Sequence, residues 1–361
     1  MSDLYTEYMQ DCTVFVGSLP MDYTTVSRNK INYIYIGDYI VFEYLDILID
    51  SLKLHVDRHF VLITEHWLPE NFFNKYGNII GVNYIYNRYQ MFNKINSDPL
   101  GITHMKGECV LPQPELFTLC DSIETTQPHK VFSILLGNKN PLDRHQIYSF
   151  LHYFKILDKC NYTIKKNKNF YQIYDDCPDL FEDRLNKSYT LITENITHVG
   201  TPTPHDEYRF DHKKNIKSIA DVVENSTVYI SLENRPLDDI GGYICEKSLY
   251  GFIFKKPTVH IGLPNNMHVL EQMGFRSFEP IISQYFNKIE NSNEKIIALC
   301  KELLFIQNLN QSFLDAWHTQ IKSIITHNRI VVQKLPESSL TEWKNLVVKL
   351  KNIEKILLQK K

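Results

Sequence analysis

The chain has no Cys-x-x-Cys pair, no glycine-rich phosphate loop, no nucleophile elbow and no His-Glu-x-x-His helix. Its seven cysteines are odd in number and scattered from Cys12 to Cys300. That spacing excludes a zinc knuckle or a dithiol redox centre and predicts a reducing compartment. No apolar run is long enough to span a bilayer, because the most apolar window, 31 to 49, is broken by Asp38, Glu43 and Asp46. The opening stretch from Met1 to Glu7 is acidic and polar, unlike a secretory leader, so a soluble, cytoplasmic protein is expected. A basic excess is missing too. Lys plus Arg total 39 against 42 Asp plus Glu, a formal charge of −3. Gripping a polyphosphate chain is therefore not read as the main task, although net charge leaves room for a local basic groove. Only 13 Gly and 15 Pro are present, which excludes collagen-like or low-complexity character.

What is present fits packed domains. A length of 361 residues with 43% apolar residues is enough for two ordinary cores. Tyr and Phe are abundant, and the heavy use of Asn, Ile, Lys and Tyr matches an AT-rich coding genome. Strand-like runs alternate with helical periodicity. Tyr33 to Ile36, His59 to Thr64, Asn78 to Tyr86, Lys130 to Leu136, Val228 to Leu232 and Thr258 to Gly262 read as strands. Ile40 to Leu54, Asp143 to Ile156, Glu246 to Phe254 and Asn266 to Met273, stopped by Gly274, read as helices. Ser292 to Ile325 and Leu340 to Leu358 read as amphipathic helices, and 161 to 211 is polar, aromatic and weakly patterned. Pro112-Gln113-Pro114 and Thr125 to His129 read as a hinge. The expected organisation is α/β, with two Rossmann-like domains, 1–128 and 129–290, facing a cleft, and C-terminal helices over 291–361.

Few motifs point to chemistry. His55 and His59 lie four apart, but no third ligand stands near, so no metal site is expected there. The doublets Asp175-Asp176 and Asp238-Asp239 read as solvated loop carboxylates. The informative stretch runs from Val228 to Phe278, in the order strand, acidic turn, Gly241-Gly242, helix, strand. A helix starting near Tyr243 would place Tyr243, Glu246 and Lys247 on adjacent faces of its positive end, where N–H groups suit a diphosphate. The same spacing fits an ordinary surface Glu-Lys pair beside a core tyrosine.

This stretch resembles the donor-binding motif of the α-1,3-fucosyltransferase family, inverting glycosyltransferases of the GT-B fold. Leu232-Glu233-Asn234-Arg235 stands for the first block of that motif, Tyr243-Ile244-Cys245-Glu246-Lys247 for the second, and Lys256 to Pro264 for the third. Leu136-Gly137-Asn138-Lys139 followed by Arg144 is similar in order to the family's strand, Asn-containing loop and arginine, and Asn161 to Lys165 stands where the next block falls. The likeness covers about residues 130 to 280. Arg235 replaces a small Ser, Cys245 replaces Thr, and the Gly before the Pro strand is missing.

The resemblance implies a glycosyltransferase that moves a sugar from a nucleotide-sugar donor to an acceptor hydroxyl, inverting and metal-independent, with no cofactor beyond the donor substrate. Arg144 and Lys247 would neutralise the leaving diphosphate, Tyr243 would pack on the nucleotide, and Glu246 would bind ribose or sugar hydroxyls. Glu233 and Asn234 belong to the same donor set. A carboxylate of the N-terminal domain would be the general base. Glu65 is the candidate because it follows a buried strand, with Asp38, Glu43 and Asp46 next in line. Related sequences are common in large DNA viruses and phages, which fits the composition and would place the protein in a host cytoplasm. Two other readings stay open. One is a phage-type DNA glycosyltransferase acting on a hydroxymethylated base, which needs a basic groove beyond Lys165 to Lys168 and the C-terminus. The other is a non-catalytic sugar-nucleotide-binding protein of the same fold.

Overall fold

The computed structural model describes residues 12–15, 31–36, 49–50, 52–54, 59–64, 67–68, 79–83, 114–122, 130–137, 141–164, 219–233, 241–242, 244–279, 281–309 and 311–359. The architecture is mixed α/β, Rossmann-like, with parallel sheets. The chain divides into two compact units, one of Met1–Leu111, Ile240–Tyr243 and Lys334–Lys361, the other of Pro112–Asp239 and Ile244–Gln333.

In the first unit, β1 (Cys12–Phe15), β2 (Ile31–Ile36), β3 (His59–Thr64) and β4 (Ile79–Asn83) form a parallel sheet in chain order. Five of the six β3 residues are buried, as expected of a strand covered on both faces. Val61 and Ile63, two apart on one face, pack with Val82 against Leu346, Leu350, Ile353 and Leu357 of the last helix. Spacings of four, three and four put those four residues on one helical stripe.

In the second unit, β5 (Lys130–Gly137), β6 (Cys160–Ile164), β7 (Ser226–Leu232) and β8 (Thr258–Ile261) are parallel in the order β6-β5-β7-β8. The chain moves from β5 to one side, then returns to the other. The reversal lies between β5 and β7, and such a switch opens a crevice at the carboxyl ends of the strands. The helices are α1 (Pro114–Ser122), α2 (Pro141–Tyr153), α3 (Glu246–Ile253), α4 (Asn266–Gln272) and α5 (Ser292–Gln307), followed by α6 (Gln311–Gln359). α3 lies close on the sheet because Gly251 has no side chain. A Cβ there would collide with Thr258 and sit 2.9 Å from the Tyr229 ring.

Four local expectations change. α1 lies inside the stretch read as a hinge. The weakly patterned stretch opens with β6. The helix expected over Ser292 to Ile325 stops at Asn308, whose side-chain amide and backbone N–H both turn back to the Leu304 carbonyl, at 2.8 and 3.2 Å. α6 then runs unbroken through residues 326–339, expected as a gap. Among the described residues, no helix is long and apolar enough to cross a membrane.

Candidate functional site

The carboxyl-end side of the second unit's sheet is built from the ends of three neighbouring strands. After β5, Pro141 opens α2 at a position where its missing N–H is of no consequence, and Arg144 follows in the first turn. The Arg144 guanidinium is buried and its Nη1 donates to the Leu136 carbonyl at 2.7 Å, tying α2 to the end of β5.

After β7 comes Glu233, 0% exposed. Its backbone N–H extends the ladder to the Ile261 carbonyl at 2.9 Å. Its carboxyl turns to the start of α3. The Cys245 N–H donates to Oε2 at 2.8 Å, and the Ser248 hydroxyl donates to Oε1. Cys245 is the N-cap, and its own side chain makes no capping bond. Glu233 thus takes, from 12 residues upstream, the part that a glutamate in the helix's own first turn takes in a capping box. The Ser248 Oγ also lies 3.0 Å from the Ser231 Oγ and 3.3 Å from the His260 Nδ1. Burial drives Glu233 up to about 7, against the opposing pull of the Cys245 and Ser248 hydrogen bonds and the Lys247 charge. Burial drives His260 down to about 3, so its imidazole is neutral. The Phe252 ring, 5.4 Å from the His260 ring, supplies part of that apolar cover.

β8 stands last in the described sheet, and side chains close its outer edge. Gln284 Oε1 accepts the His260 N–H at 3.2 Å, and Asn287 Nδ2 donates to the His260 carbonyl at 2.7 Å. Past the strand, Gly262 is held on both backbone groups. Its N–H goes to Asn287 Oδ1 at 3.2 Å, and its carbonyl accepts from Lys295 Nζ of α5 at 2.7 Å. Lys295 is 2% exposed. A Cβ on Gly262 would collide with the Asn266 amide and lie 3.0 Å from Glu233 Cγ, so any other residue here would force the Asn266 side chain to shift. Neighbouring ends of β5, β7 and β8 therefore carry a buried cation, a buried carboxyl and a second buried cation.

Of the residues singled out from sequence, Arg144, Glu233 and Lys247 belong to this end of the sheet. Lys247 is half-buried in the first turn of α3, and its charge acts on Glu233. Glu246 is the first residue of α3. Glu65, Asn234 and Tyr243 lie outside the described residues, as do Asp38, Glu43, Asp46, His55, both Asp doublets and Lys165 to Lys168. Among the described residues no group of three His, Cys, Asp or Glu side chains is placed to hold a metal ion. Sequence reasoning missed Ser248, Asn287 and Lys295. Lys295 reads as an ordinary polar position in the first turn of an amphipathic helix, and nothing in its neighbours signals burial. Ser248 directly follows the Glu246-Lys247 pair, and only the fold shows that it faces the carboxyl of Glu233.

A helix N-terminus carrying Lys247 in its first turn, at the strand end beside a reversal of strand order, has the charge and free N–H groups that suit a phosphorylated ligand. No protein-family model, no curated protein and no solved structure matches the chain.

Proposed function

We propose that the chain is a glycosyltransferase of the GT-B type, taking a sugar from a nucleotide-sugar to an acceptor hydroxyl with inversion. The observation that carries this reading is the reversal of strand order between β5 and β7, with Arg144, Glu233 and the Lys247 end of α3 gathered at the strand ends beside it. Lys247 takes the diphosphate and Arg144 adds its positive field at the end of β5. Together they offset the charge of the leaving group without a bound cation, so transfer persists in excess EDTA. For the general base that takes the acceptor proton, Glu65 is the assignment to test.

A thermal-shift screen against UDP-, GDP-, CMP- and dTDP-sugars tests the reading. A donor at 100 times its Kd raises stability by about 2.7 kcal/mol. In the selected complex, Lys247→Ala weakens donor binding and transfer together by roughly 1.5–3 kcal/mol, the worth of a charge-assisted hydrogen bond. No stabilisation by any nucleotide-sugar overturns the reading. Stabilisation without transfer or hydrolysis makes the chain a binding protein of this fold.

A further inference from the structure

We propose that Glu233 is a positioning residue of the donor site: its buried carboxyl holds the first turn of α3 in place, and the donor diphosphate binds with that carboxyl uncharged. The inference rests on the functional reading above and names the group that regulates the same site.

The geometry is that of an internal occupant. Glu233 already takes the Cys245 N–H and the Ser248 hydroxyl, both at the N-terminal end of an eight-residue helix. Fully buried, its carboxyl offers no exposed surface to a ligand, so it acts through α3 and Lys247 rather than by touching the donor. A diphosphate arriving at the same helix end adds negative charge beside a carboxyl that has no solvent to screen it, and like charges in one site push one group to its neutral form.

The surroundings determine whether Glu233 can yield. Lys247 of α3 favours the charged form, as do the hydrogen bonds from Cys245 and Ser248. From β8, His260 faces the same hydroxyl and is neutral. Ser231 of β7 adds a hydroxyl. Asn266 of α4 crowds Gly262 from the same side as Glu233, and Lys295 of α5 is bound to the Gly262 carbonyl. Burial outweighs the groups that favour charge and leaves Glu233 titrating at about 7. Near neutrality the carboxyl is therefore poised between its two forms, and an added anion selects the protonated one. Donor binding then takes up one proton above that pH, and affinity falls as pH rises, by at most about tenfold per unit.

The test is calorimetric titration of the full chain with whichever of UDP-glucose, GDP-fucose and dTDP-glucose the screen selects. Both phosphates of such a donor are esterified, so the linked proton belongs to the protein. In the wild type, Kd is flat on the acid side of about 7 and rises on the alkaline side. Repeating the titration in buffers of different ionisation enthalpy shows proton uptake there. Glu233→Gln mimics the protonated acid, with its carbonyl for Cys245 and its amide for Ser248. Its Kd is independent of pH and tighter than wild type in alkaline buffer. Ser248→Ala removes a hydrogen bond that favours the carboxylate, so the rise in Kd moves to higher pH. This variant keeps the inference testable if Glu233→Gln fails to fold.

Identical pH profiles in wild type and Glu233→Gln overturn the inference and leave the functional reading standing. A folded Glu233→Gln that binds no donor at any pH overturns it too, because Glu233 would then be a ligand contact. Absence of binding by the wild type overturns both.

Discussion

Buried beside one serine hydroxyl, Glu233 and His260 titrate in opposite senses. Glu233 goes from 4.5 up to about 7, so its contribution to stability is complete below the unfolded value and is lost as pH rises through about 7. His260 goes from 6.5 down to about 3, so its contribution is complete above the unfolded value and is lost as pH falls through about 3. Between the two unfolded values, 4.5 and 6.5, the slopes oppose each other, and the wild-type urea midpoint stays nearly level. Removing one partner exposes the other. His260→Asn loses stability from acid to neutral pH, on the order of 3 kcal/mol across the window. Glu233→Gln gains stability over the pH range in which His260 alone responds. Three identical pH profiles from urea unfolding would show that the two groups do not titrate as a buried pair.

At the scale of elements, α3 is held at both ends. Glu233 holds its start, and Arg329 of α6 holds its finish. Arg329 Nη1 donates to the Ile253 carbonyl, the last of the helix, where a cation also meets the negative end of the helix dipole. Its Nη2 reaches both Asp121 carboxylate oxygens at 3.1 Å, and its guanidinium lies 4.4 Å from the Phe117 ring centroid, binding α1 as well. The Asp121 side chain is half exposed, so solvent screens that pair, and the buried carbonyl bond carries more of the effect. Arg329→Ala lowers unfolding stability by about 2–3 kcal/mol, and Arg329→Lys restores less than half, since an ammonium cannot serve carbonyl, carboxylate and ring together. Equal stability of Arg329→Ala and wild type in denaturant titrations would remove this clamp. Helix α1 shows why such an element escapes a reading of local pattern. Turn-rich flanks at 112–114 and 125–129 outweigh a nine-residue segment whose partner, Arg329, is more than 200 positions away.

At the scale of the molecule, α6 serves the second unit up to Gln333 and the first unit from Lys334 onward. Within the first unit its final stretch covers Val61, Ile63 and Val82. Leu350→Ala empties the middle of that stripe, costs about 2–5 kcal/mol and lowers amide-exchange protection in β3. Unchanged protection there would mean that the stripe does not cover the sheet. The runs His59 to Thr64 and Lys130 to Leu136, the helix after Cys245 and the stop at Gly274, where φ is +91°, are all legible in the order of residues. Each is encoded within a few positions, by apolar period or by a glycine that tolerates positive φ. Helix spacing marks Lys247, whereas Arg144 and Glu233 stand out only through the resemblance of residues 130 to 280 to a known donor-binding motif. Neither could show that Glu233 would spend its oxygens on α3, that Lys295 would be buried, or that the strands would stand in the order β6-β5-β7-β8. Those outcomes depend on which segments pack together across tens to hundreds of positions. There, burial and hydrogen-bond satisfaction between distant groups decide, and no local period records them.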